Sequence, residues 1–372
     1  MKGSPETDRN WGIDALRMFS MFLVVVLHTI GQGGILENVE KGSGQYYVAW
    51  LLEVSAFCAV DCYALISGFV GVESRFRFSR MILLWFQVVF YTVLITVYYG
   101  VTGTAVVNQH TWIRAFFPIM SREYWYMTCY FGMMFLIPVI NQAFAGLSRR
   151  QMKALVVTAV TMFSVLPCIL LGYPFNFSRD VDAFGLGNGY SVLWLIVLYM
   201  LGAYLRKYKV GDRIKNRTAS ALLFFCILLT WGSIFVLEKV TLLRFHEVRY
   251  TGNLTGYTSP TILLTAVCFL IIFSKKRQMN KAAVGLIRFA APASLGVYLI
   301  HTHPLIWGNV IRDYAVSFAR DNPALMACKI MAAAAAIYLL CSGLDILRRQ
   351  LFRLARLEKL SEWLGRRTGF FS

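Results

Sequence analysis

The stretch WGIDALRMFSMFLVVVLHTI, residues Trp11 to Ile30, decides the fold. At ~1.5 Å rise per residue it is long enough to cross the ~30 Å hydrocarbon core of a bilayer. Three ionisable side chains interrupt it: Asp14, Arg17 and His28. An Asp or Arg at the centre of a span costs at least ~2.5–3.5 kcal/mol, so each needs a partner or a task. Arg17 and His28 are eleven residues apart, close to three helical turns, and share one face roughly 16 Å apart along it. Asp14 lies one turn below Arg17, within pairing reach. One stripe of one helix thus carries a cation low in the membrane and an imidazole high in it.

The rest of the chain is built for the same surroundings. Of 372 residues, 58% are hydrophobic and 15% charged, and the mean hydropathy is +0.57. These values exclude an ordinary soluble domain. No hydrophilic stretch is long enough for a separate soluble domain. The first span lacks a small-residue cleavage site after a brief apolar core and reads as retained. The eight cysteines lie almost entirely in apolar spans without a CxxC pair, which favours packing over disulfides or a metal site.

Hydropathy predicts an all-α, polytopic membrane protein of ten transmembrane helices near 11–31, 46–72, 81–100, 124–144, 154–172, 190–206, 219–238, 257–273, 289–309 and 323–345. With the N-terminus in the cytoplasm, more than two thirds of the 37 lysines and arginines fall on inside segments. That bias satisfies the positive-inside rule with both termini cytoplasmic. The net charge of +18 therefore reflects orientation and contact with membrane lipids, not nucleic acid. Residues 1–345 read as the membrane domain. Residues 346–372 read as a basic amphipathic tail on the inner leaflet, with Leu347, Leu351, Leu354, Leu357 and Leu364 on its apolar side.

Several polar groups have two readings. Glu53 and Asp61 lie in span two, Glu53 near the depth of His28 and Asp61 nearer that of Arg17. Arg75, Arg77 and Arg80 form either a plain cytoplasmic turn or a phosphate clamp, since guanidinium forks suit phosphate. Trp125, Tyr126 and Tyr130 form either an interfacial aromatic belt or a stacking surface for a sugar. The outer loops 173–189 and 239–256 line an acceptor site or are inert turns. His301 in span nine lies at a depth comparable to His28, and two histidines from separate spans at one depth, with Glu53 near, indicate a site. His303, two residues on, faces elsewhere. A Walker-type loop, an HExxH motif and a GxSxG elbow are absent from the sequence.

Six segments resemble acyltransferase family 3 membrane proteins. IDALRMFSMFLVVVLH at 13–28 has the family's Arg, ten residues, then His. VDCYALISGF at 60–69 is similar to its second span, and RFRFSR at 75–80 sits where the family has a basic loop. YWYMTCYFGMMFLIPVIN, ending at Asn141, resembles its fourth span, and YTSP at 257–260 and GVYLIHTHP at 296–304 also fit, all in the family's order. The resemblance implies transfer of an acyl group, usually acetyl, from cytoplasmic acetyl-CoA to a hydroxyl of a cell-surface carbohydrate, in a bacterial cytoplasmic (inner) membrane. It covers nearly the whole chain without the added extracytoplasmic or racemase domains of some members.

Chemistry then suggests roles. Arg17, Arg77 and Arg80 bind the phosphates of acetyl-CoA, which is a substrate rather than a resident cofactor. His28 is the general base, since an imidazole pKa near ~6.5 suits proton removal from a hydroxyl. Glu53 orients it, while His301 or Tyr298 stabilises the oxyanion or places the acceptor. Trp125 and Tyr126 contact the acceptor, a surface or lipid-linked glycan. Asp14 and Asp61 hold the arginines, and Ser67 packs. No metal and no nucleic acid are expected. The rival class is a proton-coupled transporter or flippase, which buried Arg, His and Asp would also serve. Against it, the sequence has no visible two-fold repeat and no matched broken helices. A third class, a structural or sensor protein using histidines as pH switches, would not need the arginine below the histidine.

Overall fold

In the computed structural model, residues 9–173, 182–276 and 278–367 are described; residues 174–181 of the outer loop, the first eight residues, Arg277 and the last five lie outside them. The described residues form helices and no strand. In chain order these are α1 Trp11–Ile30, α2 Ile35–Asn38, α3 Gly44–Phe57, α4 Ala59–Gly71, α5 Phe78–Thr102, α6 Gln109–Phe116, α7 Trp125–Gly146, α8 Arg149–Val160, α9 Leu166–Leu170, α10 Val192–Lys207, α11 Asn216–Phe245, α12 Pro260–Ser274, α13 Lys281–Ala290, α14 Ser294–His301, α15 Pro304–Ile306, α16 Pro323–Leu354 and α17 Leu357–Arg367. Eight helical stretches, beginning at residues 11, 44, 78, 125, 149, 216, 281 and 323, are long and apolar enough to cross a membrane. The expected sixth and eighth spans form α10 and α12, of 16 and 15 residues, shorter than the ~20 that a straight crossing takes.

Departures from straight spans have local causes. Span two breaks at Cys58 into α3 and α4. Ser55 Oγ donates to the carbonyl of Leu51 (2.7 Å), and such back-bonding bends a helix. Between α8 and α9 the chain takes a π-helical turn, Thr161–Val165, just before Pro167, which has no N–H to give the preceding turn. Span nine is divided by Pro292 and Pro304 into α13, α14 and α15. The helix of the last expected span continues through Leu354, so residue 345 lies inside α16.

The chain divides into two compact units. The first comprises residues 1–24, 50–74 and 140–291. Here α4 lies directly against α10. A Cβ added to Gly68 would strike the carbonyl of Tyr199, and one added to Gly202 the carbonyl of Leu65. Small residues let two backbones meet this closely, the usual packing device where lipid removes the hydrophobic drive between helices. A second contact joins α11 and α12 to α3 through Val54, Leu223, Ile227, Ile234 and Cys268.

The second unit comprises residues 25–49, 75–139 and 292–372. Its centre is a buried charge cluster on α16 and α5. Asp345, fully buried, accepts from Tyr91 Oη (2.8 Å) and from Arg348 (2.8 and 3.1 Å). Arg349 Nε lies 3.1 Å from its other oxygen. One face of α16 carries exposed leucines: Leu340, Leu347, Leu351 and Leu354 are 70%, 58%, 51% and 80% exposed. A face of this kind suits acyl chains rather than water.

Candidate active site

The second unit carries an imidazole pair. His28 stands in the last turn of α1, and His301 is the last residue of α14. The helix ends there because Pro304 follows, and the residue before a proline is pushed out of the helical region. That residue, His303, is the N-cap of α15 and accepts from Leu305 N–H through Nδ1 (3.2 Å). His28 Nδ1 and His301 Nε2 are 2.8 Å apart. His301 Nδ1 lies 2.5 Å from the carbonyl oxygen of Val297, one turn back in its own helix.

This geometry fixes the proton positions of the neutral pair. A carbonyl can only accept, so His301 Nδ1 carries its hydrogen and donates to Val297. His301 Nε2 is then an acceptor, and His28 Nδ1–H donates to it. The lone pair of His28 is left on Nε2, which makes no hydrogen bond among the described residues. His301 is buried and His28 only half-buried, so of the two rings His28 is the more accessible. A tautomer set by a hydrogen bond on the far nitrogen is how an imidazole is poised to take a proton.

Aromatic rings surround the pair. Trp307 meets His28 edge to face, with centroids 4.6 Å apart at 89°, from the first position of a π-helical turn, Trp307–Ile311. Tyr298 lies 6.4 Å from His301, with Tyr124 and Tyr126 at 5.8 and 6.3 Å from Tyr298. Trp125 packs on Tyr126 at 5.6 Å. Tyr124 Oη donates to the carbonyl of Leu299 (2.8 Å), which ties α14 to the start of α7. Four residues expected from sequence, His28, His301, Tyr298 and Tyr126, are therefore brought together, with Trp125 next to them. Tyr124 and Trp307 were not anticipated. Tyr124 opens the quoted aromatic run, and Trp307 follows the two histidines by six and four residues, but nothing in the sequence announces either ring's contact.

Glu53 was expected to orient His28; the hydrogen-bond partner that His28 Nδ1 has is His301. Glu53 belongs to the first unit, where it is buried and its Oε2 has no hydrogen-bond partner among the described residues.

The first unit carries a cationic cleft of about 390 Å³ at the start of α1. Arg9, Arg17 and Arg206 line it with Asp14, Glu73 and Phe69. Asp14 pairs with Arg17 (2.6 Å), as the one-turn spacing predicts, and also with Arg9 (2.6 Å). Asn10 caps α1 by accepting from the backbone of Gly12 and Ile13 (3.1 and 3.3 Å). Tyr63 Oη donates to the carbonyl of Arg17 (2.6 Å). Asp61, expected to hold an arginine, instead accepts from the indole of Trp194 (3.1 Å). The correction is physical: Asp61 is wholly buried, and an indole N–H reaches its Oδ1 without bringing a second charge into the interior, while Oδ2 has no hydrogen-bond partner among the described residues. Ser67 donates to the carbonyl of Tyr63 within α4 (2.9 Å). Arg77 and Arg80 stand at the start of α5 in the second unit, both exposed. Arg9 and Arg206, counted by sequence only as inside charges, are the guanidiniums that share a cleft with Arg17.

Helices of membrane-crossing length mark an integral membrane protein. Residues 10–343 match the family model Acyl_transf_3, described as an acyltransferase domain, and the chain belongs to that family, acyltransferase family 3. Comparison with curated proteins and with solved structures gave no match. The protein is a multi-pass membrane acyltransferase.

Proposed function

We propose that the protein transfers an acetyl group from cytoplasmic acetyl-CoA to a hydroxyl of a cell-surface or lipid-linked carbohydrate. It does so as a ten-span protein of a bacterial inner membrane, with both termini in the cytoplasm. The observation that carries the reaction type is the tautomer of His28. Its Nε2 takes the hydroxyl proton as the oxygen attacks the thioester carbonyl. The tetrahedral oxyanion collapses, the carbon–sulfur bond breaks, and the proton passes from His28 to the leaving thiolate. Ester and free thiol are the products, with no net change in protons. His301 holds Nδ1 throughout and stabilises the imidazolium that forms. Tyr126, Tyr298 and Trp125 supply ring faces for the acceptor sugar. Arg17 binds donor phosphate. The positive-inside distribution supports the orientation, and α10 and α12 complete the ten crossings.

The test is purified protein in detergent with radiolabelled acetyl-CoA and a surface-glycan fraction, wild type beside His28→Ala. Label entering glycan, with free thiol released, in wild type alone is expected. Equal labelling by the variant would remove the base. A succinyl donor in parallel decides the acyl group, and thiol release separates the enzyme from a transporter.

A further inference from the structure

The cleft at the start of α1 has more cation than the proposed reaction has so far used, and its ion pairs are of two kinds. Asp14 is buried, and each of its oxygens holds one guanidinium, Arg9 on one side and Arg17 on the other. Glu73 is different. It sits in the turn after α4, with its side chain 55% exposed, and places one oxygen against both Nε and a terminal nitrogen of Arg206 (2.8 and 2.7 Å). The Arg206 guanidinium also lies over the ring of Phe69 (5.4 Å), a wall of the same cleft. Arg206 is thus held in position by an aromatic face while its hydrogen-bonding edge is occupied by a carboxylate from a turn.

An exposed ion pair of this sort contributes little to stability, so its dissociation costs little. A phosphate ester offers a guanidinium fork more charge and more acceptor oxygens than one carboxylate oxygen does. The cleft volume, about 390 Å³, is within the range of roughly 300–1,000 Å³ that holds a small organic ligand. We infer that this cleft binds a phosphate-ester anion through Arg9, Arg17 and Arg206, and that Glu73 is an internal stand-in for the anion, released from Arg206 when phosphate enters. The assignment of that phosphate to a nucleotide donor rests on the acetyl-CoA reading above. An anionic lipid headgroup offers the same chemistry.

Glu73→Gln removes the competitor and a nearby negative charge, so it should tighten phosphate binding about two- to fivefold. Arg206→Gln should weaken it about tenfold or more, through loss of a charge-assisted contact. Arg206→Lys should recover part of the loss, because charge returns without the fork. The experiment titrates the full-length protein in neutral detergent at fixed ionic strength with adenosine 3′,5′-bisphosphate and, separately, with adenosine. Arg353→Gln, an exposed charge on α16, controls for net charge, and size-exclusion profiles confirm that each variant is folded. A second arm measures recovery of phosphatidylglycerol with protein from mixed phosphatidylcholine–phosphatidylglycerol discs. Binding of the bisphosphate but not adenosine, tightened by Glu73→Gln and weakened by Arg206→Gln, supports the inference. Lipid capture that depends on Arg206, without bisphosphate binding, supports the phosphate site and overturns the nucleotide source. Bisphosphate binding that Arg17→Gln weakens but the Glu73 and Arg206 variants leave unchanged overturns the inference while the donor reading stands. Binding of neither ligand overturns it outright.

Discussion

The imidazole pair and the arginine cleft show two ways of holding an ionisable group. His28 and His301 are joined by a neutral hydrogen bond whose far end is a backbone carbonyl, and the inner ring is buried. A main-chain acceptor cannot rotate away, and it favours one tautomer of the neutral pair. The cleft arginines are partly exposed, and each is paired to a side chain. The exposed pair of the cleft, Glu73 with Arg206, exchanges partners at small cost. On the proposed reading, proton transfer falls to a geometry held by a main-chain anchor, and anion binding to a cleft whose outer ion pair can yield.

The largest expected effect breaks the fixed half. His28→Ala should lower acetyl transfer by about 10²–10⁴-fold, the usual contribution of a general base, while the protein stays folded in the membrane. Labelling assays with size-exclusion controls check this. His301→Ala should cost nearly as much, since His28 Nδ1 would lose its acceptor and Nε2 its defined lone pair. His301→Gln, whose amide oxygen can accept that bond, should recover a measurable part of the rate. A full rate in His301→Ala would show that the pair is incidental.

Smaller changes sharpen the contrast. Asp14→Asn should weaken the hold on both Arg9 and Arg17, and show as a several-fold rise in KM for acetyl-CoA with little change in kcat. The opposite split would move Asp14 from binding to chemistry. Smallest of all, Trp307→Phe keeps an aromatic edge beside His28 and should change kcat by less than about threefold, an aromatic contact being worth about 0.5–1.5 kcal/mol. Trp307→Ala should cost more than Trp307→Phe, and equal rates would mean that the ring does not position the base.

Much of this was legible because helical periodicity and charge cost are local rules. α1 runs unbroken from Trp11 to Ile30, so the Arg17–His28 interval and the Asp14 pair follow from counting residues. The depth of His301 follows from its distance along a span, and that depth matches His28, whose ring it meets. Orientation of side chains was less accessible. Whether His28 Nδ1 meets Glu53 or His301 depends on helix rotation by a fraction of a turn, which hydropathy does not fix. The partner of Asp61, the indole of Trp194, lies 133 residues away. Arg206 was hidden among inside charges because its place beside Glu73 and Phe69 comes from the glycine-mediated approach of α10 to α4. The breaks at Cys58 and Pro304 were visible as residues but not as bends, since one serine or proline can be absorbed in a long apolar helix.

The central claim is that the two histidines act as one base. The most direct measurement is the acetyl-transfer rate of His28→Ala, His301→Ala and the double variant, beside wild type. Residues that act as a unit lose their effect together. The double variant should therefore be no slower than His28→Ala alone. Losses that multiply, with the double variant slower by the product of the two single effects, would contradict the relay and leave His28 and His301 with separate tasks.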